Sequence, residues 1–304
     1  MKKKPNVFII LLNYNGYKDT IDCINSLLNI NYDEFKIVVV DNNSTDDSHR
    51  ILNDYLSDLE IVKYIQTGQN LGFSGGNNIG IKYAIEQNAD YICLLNNDTI
   101  VEKDFLTYLI EKMEKDKNIG ISAGKIMYYN KKNIIWSAGG YIDENKSIGI
   151  HYGENQLDIG QYDKEKYVTF LTGCIQVISR EVIEKVGLYD EKYFLYMEDV
   201  DFCYRVMKHN YKLLYVPESK IYHKIGSSTG GEKSPHVIYY STRNRLLFNK
   251  KNQNNKIIKF RFYIFWMIKM ILEPIRKGKN YKYMLIGVID FFNNKFGMKN
   301  FNKN

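Results

Sequence analysis

The chain has 304 residues, of which 44% are hydrophobic and 25% charged, a composition that supports a buried core and excludes disordered and fibrous proteins. Its four cysteines are far apart and form no CxxC pair, so we expect a reducing, cytosolic setting without disulfides or structural zinc. The net charge of +7 is uneven, since residues 250–304 hold 13 Lys and Arg against two acidic residues, whereas the remainder holds 29 basic and 33 acidic residues. Because the excess positive charge lies in one terminal segment, we expect no nucleic-acid partner.

The first half of the chain alternates between strand-like and helix-like segments. Continuous apolar runs predict strands buried on both faces at residues 7–12, 36–40, 61–65 and 91–95. The first run has six residues, which is too short for a signal peptide or a membrane span. Helical spacing predicts helices at residues 19–28, 46–56 and 77–87, with Ser44 as an N-cap of the second. This alternation predicts right-handed βαβ units and a mostly parallel sheet.

The predicted elements become mixed further along the chain. We expect helices at residues 103–115, 181–186 and 200–209, and strands at residues 120–128, 134–141, 168–178, 212–216 and 221–223. Residues 141–161 are rich in Gly, Asn and charge, which predicts a hairpin or a mobile loop, and residues 226–231 predict another mobile loop. No linker stands out before the basic segment, so we expect one domain at residues 1–250 and a helical tail at residues 251–304.

The tail contains an unusual apolar segment. Residues 257–272 read IIKFRFYIFWMIKMIL, in which Lys259, Arg261 and Lys269 interrupt aliphatic and aromatic residues. As a helix this segment would be about 24 Å long, which is shorter than the roughly 30 Å hydrocarbon core of a bilayer. An interfacial helix with its basic residues at anionic headgroups is therefore favoured. The alternatives are a helix packed on the body of the protein and a dimer interface.

Polar, glycine-rich turns follow all four strands of the predicted parallel sheet, at residues 13–16, 41–44, 69–72 and 96–98. Because ligands bind at the carboxyl ends of the strands in open parallel sheets, we expect these turns to converge on one polar ligand. The first strand is not followed by GxGxxG, which argues against a redox dinucleotide site. No GxxxxGK[ST] occurs either, so a P-loop is excluded.

Acidic residues mark two candidate sites of chemistry. Asp98 follows an apolar strand, where it can hold a divalent cation that bridges a diphosphate or simply cap a turn. Glu198, Asp199 and Asp201 lie at the start of a predicted helix, whose dipole favours acidic residues. Asp201 and Arg205 are spaced i, i+4 and are predicted to pair. Glu198 and Asp199 then remain as candidates for a general base.

Two basic residues further along the chain have two interpretations each. His223 ends a predicted strand, so it is either a structural histidine or a member of the site. Arg243 lies on a predicted helix, where it either contacts an acceptor phosphate or belongs to a solvated basic face.

In order, the segments NYNG, DNNSTDDS, QNLGFSGGNN, LLNNDT, LTGC and YMEDVDFCYR and the later His223 resemble the family 2 glycosyltransferases with a GT-A fold, most closely their bacterial rhamnosyltransferase-like branch. The resemblance covers about residues 5–250. It implies an α/β fold with a mostly parallel central sheet and, beyond it, a C-terminal helical extension. The implied activity is inverting transfer of a sugar from a nucleotide sugar, dTDP-rhamnose or UDP-hexose, to a glycan or lipid-linked glycan of the cell envelope.

The resemblance also implies roles for individual residues. On the donor side, the residues that would hold the base and ribose, line the nucleotide pocket or contact the nucleotide sugar are Asn13, Asp41, Asn70, Gly76 and Asn97. The ligands of Mg²⁺ or Mn²⁺ on the diphosphate would be Asp98, His223 and Asn96, the last of which stands where the family's DxD motif has an acid. The acceptor side would be formed by Thr172 and Gly173, and Arg243, with the two interpretations given above, is a further acceptor-side candidate. Asp199 would be the catalytic base, with Glu198 next to it.

Two other classes of protein remain as alternatives. A sugar-phosphate nucleotidyltransferase would carry a Gly-rich loop with Arg and Lys after the first strand, and NYNGYKDT lacks one. A non-catalytic protein that binds nucleotide sugars or a membrane surface is conceivable because of Asn96, although Asp98, Asp199 and His223 argue against it. For an enzyme, the expected partners are the donor, the acceptor, the inner face of the cytoplasmic membrane through the tail, and a possible second copy of the chain.

Overall fold

The computed structural model describes residues 4–224, 234–277 and 281–301. Its strands are β1 (Val7–Asn13), β2 (Phe35–Asp41), β3 (Val62–Gln66), β4 (Tyr91–Asn96), β5 (Thr99–Val101), β6 (Ile119–Tyr128), β7 (Lys131–Ser137), β8 (Gly140–Asp143), β9 (Ile148–His151), β10 (Gln156–Leu157), β11 (Lys166–Val168), β12 (Ile175–Ser179) and β13 (Lys212–His223). Its helices are α1 (Tyr17–Leu27), α2 (Ser48–Leu56), α3 (Gly72–Glu86), α4 (Phe105–Lys115), α5 (Arg180–Val186), α6 (Glu198–Lys208), α7 (Pro235–Asn252), α8 (Lys256–Lys277) and α9 (Tyr281–Phe292).

The central sheet has the strand order β10-β7-β6-β12-β4-β1-β2-β3, with β13 beside β6, and with β5 and β11 beside β13. Strands β4, β1, β2 and β3 run parallel, as the alternation of strands and helices predicts. Strand β12 is antiparallel to both of its neighbours, β4 and β6. Strand β13 is parallel to β6 and antiparallel to β5. The predicted α/β fold with a mostly parallel central sheet is therefore confirmed.

The apolar core lies along the parallel strands, which are covered by helices. The residues of β1 from Val7 to Leu11 are fully or almost fully buried, because apolar side chains on both faces of the strand meet covering elements. Helix α3 approaches β1 so closely that a Cβ atom on Gly76 would lie 2.3 Å from Leu12 Cδ1. A Cβ atom on Gly80 would likewise lie 2.5 Å from Ile10 Cγ2. Because neither glycine has a side chain, helix and sheet can pack closely.

Several predicted boundaries differ from the structure. Helix α3 begins at Gly72, not at residue 77, because the sequence GFSGG forms its first turn. The predicted strands at residues 212–216 and 221–223 are one irregular strand, β13, and the predicted strand at residues 168–178 is divided into β11 and β12. The predicted N-cap Ser44 is wrong, because α2 begins after Asp47 and the Ser44 hydroxyl donates to Asp41 instead. The hairpin predicted within residues 141–161 is confirmed by β8 and β9.

The predicted C-terminal helices are confirmed, and α7 packs against α9. The proposed domain boundary at residue 250 falls just before the end of α7, and the division into two domains stays a prediction. Among the described helices, none is both long and apolar enough to cross a bilayer. All four cysteines are buried as free thiols, which agrees with the expectation drawn from their wide spacing in the sequence. The loop predicted at residues 226–231 lies outside the described residues.

Candidate active site

Polar side chains at the carboxyl ends of β1 and β2 form a buried network. The Asn13 amide donates to Asp41 Oδ1 at 2.8 Å and to Ser44 Oγ at 3.0 Å. The Thr20 hydroxyl donates to Asn13 Oδ1 at 2.9 Å, and the Asn97 amide donates to that hydroxyl at 2.8 Å. Because Asn13 and Asp41 are fully buried, they fix the turns after both strands. Contacts of Asn13, Asp41 and Asn97 with a nucleotide sugar stay predictions.

A second network ties the end of β2 to the start of α3. The buried Asn42 amide donates to Asn70 Oδ1 and to the Gly72 carbonyl, both at 3.1 Å, and Asn42 Oδ1 accepts from the Leu71 N–H. Sequence reasoning missed Asn42, although its place in the polar run behind a buried strand was a usable signal. The close packing of α3 on β1 explains why residue 76 is a glycine. The roles of Asn70 and Gly76 in a nucleotide pocket remain predictions.

Strand pairing brings two predicted metal ligands together. The antiparallel register of β13 and β5 places His223 opposite Thr99, next to Asp98. The distance between His223 Nε2 and Asp98 Oδ1 is 3.0 Å, and both side chains are almost buried. The Lys224 N–H also donates to the Asp98 carbonyl, which ties the end of β13 to this turn. The sheet therefore joins residues that are 125 positions apart in the sequence.

The surroundings of the His223 imidazole favour its protonated form. Burial alone lowers the pKa of His223, but the neighbouring Cys174 and Asp98 outweigh burial and raise it to about 10. The other ring nitrogen, Nδ1, is buried and has no hydrogen-bond partner among the described residues. A cation can bind Nε2 only when the imidazole is neutral, so His223 would release this proton to act as a metal ligand.

The donor atoms of this pair suit a divalent cation that is shared with a substrate. Mg²⁺ and Mn²⁺ accept carboxylate oxygen, and Mn²⁺ also accepts imidazole nitrogen. Within the described ranges, no three His, Cys, Asp or Glu side chains lie close enough together to hold a metal. Asp98 and His223 would therefore supply part of the coordination, and diphosphate oxygens and water the rest. The third predicted ligand, Asn96, has a half-buried side chain at the same strand end, and its role stays a prediction.

Aromatic residues that sequence reasoning missed pack beside His223. The Trp136 ring meets the His223 ring edge-on, with ring centroids 4.7 Å apart, and its centroid lies 4.9 Å from that of the His151 ring. Burial and the charged His223 lower the pKa of His151 to about 4, so His151 is neutral. Neither Trp136 nor His151 belongs to a recognisable motif. Strands β7 and β9 bring these two residues next to His223 only in the folded protein.

The predicted carboxylate pair lies at the start of α6. Asp199 Oδ2 accepts from the Gly173 N–H at 3.0 Å, and Oδ1 accepts from the Val200 N–H at 2.8 Å. Glu198 is only 6% exposed, and its Oε2 has no hydrogen-bond partner in the part of the chain that the structure describes. The two carboxyl groups are therefore neighbours with different surroundings.

These surroundings separate the protonation states of the pair. Burial, with the adjacent Asp199, raises the pKa of Glu198 well above its ordinary range. Burial also raises the pKa of Asp199, but the N–H groups of Gly173 and Val200 oppose that shift by stabilising the charged form. The two N–H groups therefore favour ionisation of Asp199 over ionisation of Glu198.

Replacing Glu198 by Gln is expected to raise the melting temperature at about pH 7.5. Glu198 is ionised in the unfolded chain at that pH and must take up a proton on folding, which costs free energy that a neutral amide avoids. Thermal unfolding of both proteins at about pH 7.5 and about pH 4 measures the effect. The difference should shrink at the lower pH, where Glu198 is mostly protonated in both states. An unchanged melting temperature at the higher pH would show that Glu198 is ionised in the folded protein.

Asp201 belongs to the structure of this region, not to its chemistry. It is fully buried and accepts from Arg205 Nε at 2.8 Å and from Lys251 Nζ at 2.9 Å. Although burial alone would raise the pKa of Asp201, these two cations lower it. The predicted i, i+4 pair with Arg205 is therefore confirmed, and Lys251 links α6 to the end of α7.

Residues 172–174 connect the carboxylate pair to the Asp98–His223 pair. The Gly173 N–H donates to Asp199, and the Cys174 carbonyl accepts from the Asn96 N–H at 2.9 Å. Cys174 also lies close enough to His223 to raise the pKa of its imidazole. The structure thus brings two predicted groups of residues to two adjacent residues, Gly173 and Cys174.

Arg243 differs from both of its predicted interpretations. Its side chain is 1% exposed, so it is not part of a solvated basic face. The guanidinium group lies against the rings of Tyr239 and Tyr240 and donates to the carbonyls of Gly297 and Lys192. Because these contacts occupy the buried group, they argue against the predicted contact with an acceptor phosphate. Thr172, in contrast, lies beside Asp199, and its acceptor role stays a prediction, as does that of Gly173.

A mostly parallel sheet with polar turns at its strand ends, an acid after β4 and a carboxylate pair at the start of α6 agrees with the GT-A glycosyltransferase fold that the resemblance implies. Residues 8–187 match the family model described as Glycosyl transferase family 2, which covers more than half of the chain. The chain belongs to glycosyl transferase family 2, whose members take their sugar from an activated donor.

Relatives with assigned activities are similar along most of the chain. A dTDP-rhamnosyl transferase, RfbF of Shigella flexneri, is 26% identical over 286 residues, which are 92% of this chain and 92% of that protein. The low-salt glycan biosynthesis hexosyltransferase Agl10 of Haloferax volcanii is 27% identical over 242 residues, covering 79% of this chain and 74% of that protein.

Solved structures agree in fold. GalNAc-T7 with UDP, GalNAc and Mn²⁺ has a TM-score of 0.70 at 17% identity over 97% of this chain, which spans 59% of that one. The mannosyltransferase PcManGT of Pyrobaculum calidifontis, in complex with GDP-Man and Mn²⁺, has a TM-score of 0.60 at 11% identity, with 97% and 89% of the two chains covered. At these identities the likeness concerns the GT-A fold alone.

Proposed function

We propose that this enzyme transfers a sugar, with inversion, from dTDP-rhamnose or a UDP-hexose to a hydroxyl of a glycan or lipid-linked glycan in cell-envelope polysaccharide synthesis. The observation that carries the proposal is the segment 172–174, in which Gly173 contacts the Asp199 carboxylate and Cys174 contacts Asn96, two residues before Asp98. The similarity to a dTDP-rhamnosyl transferase and to a glycan hexosyltransferase supports the choice of donors.

Asp199 is the general base of the proposed reaction. The acceptor oxygen attacks the anomeric carbon and transfers its proton to an Asp199 carboxylate oxygen, while the bond from that carbon to the donor phosphate breaks. The attack comes from the face opposite the leaving nucleoside diphosphate, so the anomeric configuration inverts. The N–H groups of Gly173 and Val200 hold the carboxylate in place, and the neutral Glu198 beside it adds no competing negative charge.

The donor diphosphate is proposed to lie at the Asp98–His223 pair. Asp98 and His223 are placed to hold Mg²⁺ or Mn²⁺, which would supply Lewis-acid stabilisation of the charge that develops on the leaving diphosphate. Asp98 and His223 would hold that ion, and Asn96 would add a neutral oxygen. The turns at Asn13 and Asp41 lie at the adjacent strand ends, where a nucleoside attached to the diphosphate is held.

The donor assay that tests this function also tests the alternatives. The purified protein is incubated with Mn²⁺ and dTDP-rhamnose, UDP-glucose, UDP-N-acetylglucosamine or GDP-mannose, and released nucleoside diphosphate is measured with and without glycan acceptors. We expect release from a dTDP- or UDP-sugar, and NMR of the product should show an inverted anomeric centre. Release of pyrophosphate from a nucleoside triphosphate and a sugar phosphate would identify a nucleotidyltransferase. Binding without turnover would identify a non-catalytic protein.

The exposed face of α8 is proposed to bind the surface of the cytoplasmic membrane. One side of this helix packs against the body of the protein, where the side chains of Phe262 and Trp266 are buried. The opposite side exposes a continuous apolar stripe, formed by Ile257, Phe260, Ile264, Phe265, Met267, Ile268 and Leu272. Residues 256–272 also carry four basic and no acidic residues, which complements anionic lipid headgroups. This charge favours a lipid surface over a second copy of the same basic helix.

Replacing Phe260 and Met267 together by Ser is expected to weaken binding to vesicles that contain anionic phosphatidylglycerol by about tenfold or more, since each side chain loses apolar burial. The matched control replaces Leu157 and Ile159 by Ser, because these residues are similarly exposed and lie outside the tail. Vesicle co-sedimentation of the full chain measures binding. Equal binding by both double variants would contradict the membrane surface. A wild-type dimer that dissociates in the α8 variant would identify this face as a dimer interface instead.

A further inference from the structure

The backbone just before the carboxylate pair has an unusual conformation. Tyr196 and Met197 have φ angles of +68° and +76°, so two consecutive residues with side chains are left-handed. This conformation is unfavourable for residues that have a Cβ atom, and it persists only where neighbouring contacts enforce it. Met197 is the N-cap of α6, and its carbonyl accepts from the Asp201 N–H. The turn therefore sets the direction in which α6, with Glu198 and Asp199, begins.

Asn244 of α7 holds this turn from one side. It is fully buried, and its Nδ2 group donates to the carbonyls of both Leu195 and Tyr196 at 2.8 Å. Its Oδ1 accepts from Arg243 Nε at 2.9 Å, which fixes the orientation of the amide. Arg243 in turn donates to the Lys192 carbonyl of the same segment. One side-chain amide thus satisfies two consecutive carbonyls at the point where the backbone becomes left-handed.

Helix α3 holds the same segment from the other side. The Phe73 N–H donates to the Phe194 carbonyl at 2.7 Å, and the Ser74 hydroxyl donates to the Tyr193 carbonyl. A Cβ atom on Gly72 would lie 2.2 Å from the Phe194 carbonyl oxygen, so the lack of a side chain at Gly72 allows this close approach. Residues 193–196 are therefore fixed between α3, which begins at the proposed donor side, and α7.

We propose that Asn244, oriented by Arg243, is a positioning residue that holds the Tyr196–Met197 turn so that Asp199 meets the Gly173 N–H. This inference rests on the proposed role of Asp199 as the base. It also replaces the predicted acceptor contact of Arg243 with a function that its burial permits. Asn244 does not touch the reacting atoms and acts through the turn alone.

Replacing Asn244 by Asp tests the inference with little change in shape. Asp retains an oxygen for Arg243 Nε but presents a second oxygen, not a donor, to the carbonyls of Leu195 and Tyr196. We expect kcat for hydrolysis of dTDP-rhamnose or UDP-glucose to fall by about tenfold or more, because misplacement of the base slows proton transfer. The KM for the donor should change less than twofold. Amide hydrogen exchange of residues 193–199 should become faster.

The matched control is Asn249→Asp on the same helix. Asn249 is also fully buried, and its amide donates to Ser147 Oγ at 3.0 Å, away from the turn. This variant should lose comparable thermal stability but keep kcat, with all rates measured below both melting temperatures. Asn244→Ala serves as a second variant, since it removes the donor without adding charge.

Each outcome of this comparison decides a stated point. Wild-type kcat in both Asn244 variants, or an equal loss of kcat in Asn249→Asp, would overturn the positioning role while leaving the proposed function intact. A wild-type enzyme that turns over no donor would contradict the proposed function and, with it, this inference.

Discussion

Replacing Asp199 by Asn is expected to lower kcat for sugar transfer by about 10²- to 10⁴-fold, the usual contribution of a general base. The amide keeps the size of the carboxylate but cannot accept the acceptor's proton. Donor affinity should be almost unchanged, because the Asp98–His223 pair is untouched. In the wild-type enzyme, kcat should fall as the pH drops through the Asp199 pKa, which burial raises above the ordinary aspartate range. Steady-state kinetics across pH measure both effects.

Glu198→Gln is the matched control for this prediction. It makes the same chemical change one residue earlier, at a carboxyl group whose burial raises its pKa well above the ordinary range. We expect its kcat to remain within about tenfold of the wild-type value, since a neutral acid is exchanged for a neutral amide. A loss as large as that of Asp199→Asn would show that Glu198 is the base. Substantial turnover by Asp199→Asn would exclude Asp199 from that role.

Replacing Asp98 by Asn is expected to lower kcat/KM for the donor by about 10²-fold or more, the size of effect that several kcal/mol of charge stabilisation by a metal implies. The amide oxygen can still accept from His223 Nε2, so the local hydrogen bond is preserved. The variant should also need a much higher Mn²⁺ concentration for half-maximal rate. Initial rates over a Mn²⁺ titration separate these two effects.

Asp158→Asn is a suitable control for the loss of a nearly buried ion pair. Asp158 pairs with the buried Lys125 at 3.0 Å, and its side chain is 15% exposed, against 13% for Asp98. The Asp158→Asn variant should lose stability without a change in the Mn²⁺ concentration that gives the half-maximal rate. If Asp98→Asn keeps the wild-type Mn²⁺ requirement, Asp98 is not a metal ligand, and the proposed diphosphate position is wrong.

Apolar runs predict the parallel half of the fold well, because strands that are buried on both faces need continuous hydrophobic sequence. The same reasoning predicts the polar turns that end β1, β2 and β4. It fails at residues 168–178 and 212–223, where register shifts and irregular segments depend on long-range pairing. Helix α3 begins earlier than predicted because Gly72 packs on Phe194 and Gly76 packs on β1, and these tertiary contacts override the weak helix propensity of glycine.

The candidate site shows the same division between local and long-range information. Asp98 and Asp199 are predictable because each follows a recognisable element and belongs to a motif that resembles the family. The contact between His223 and Asp98 depends on the register of β13 against β5, which no local pattern specifies. The burial of Arg243 depends on α9 and on the segment after it, so a charged residue on a predicted helix could not be assigned to the interior.

Thermal unfolding with nucleoside diphosphates tests the central claim, a metal-dependent donor site at the Asp98–His223 pair, most directly. The wild-type protein and Asp98→Asn are heated with dTDP, UDP, GDP or CDP, each in the presence of Mn²⁺ or of EDTA. We expect dTDP or UDP to raise the wild-type melting temperature by about 5 °C at a concentration of ~100 Kd. This rise should disappear with EDTA and in Asp98→Asn. If no nucleotide stabilises the wild-type protein in Mn²⁺, the fold does not contain the proposed donor site.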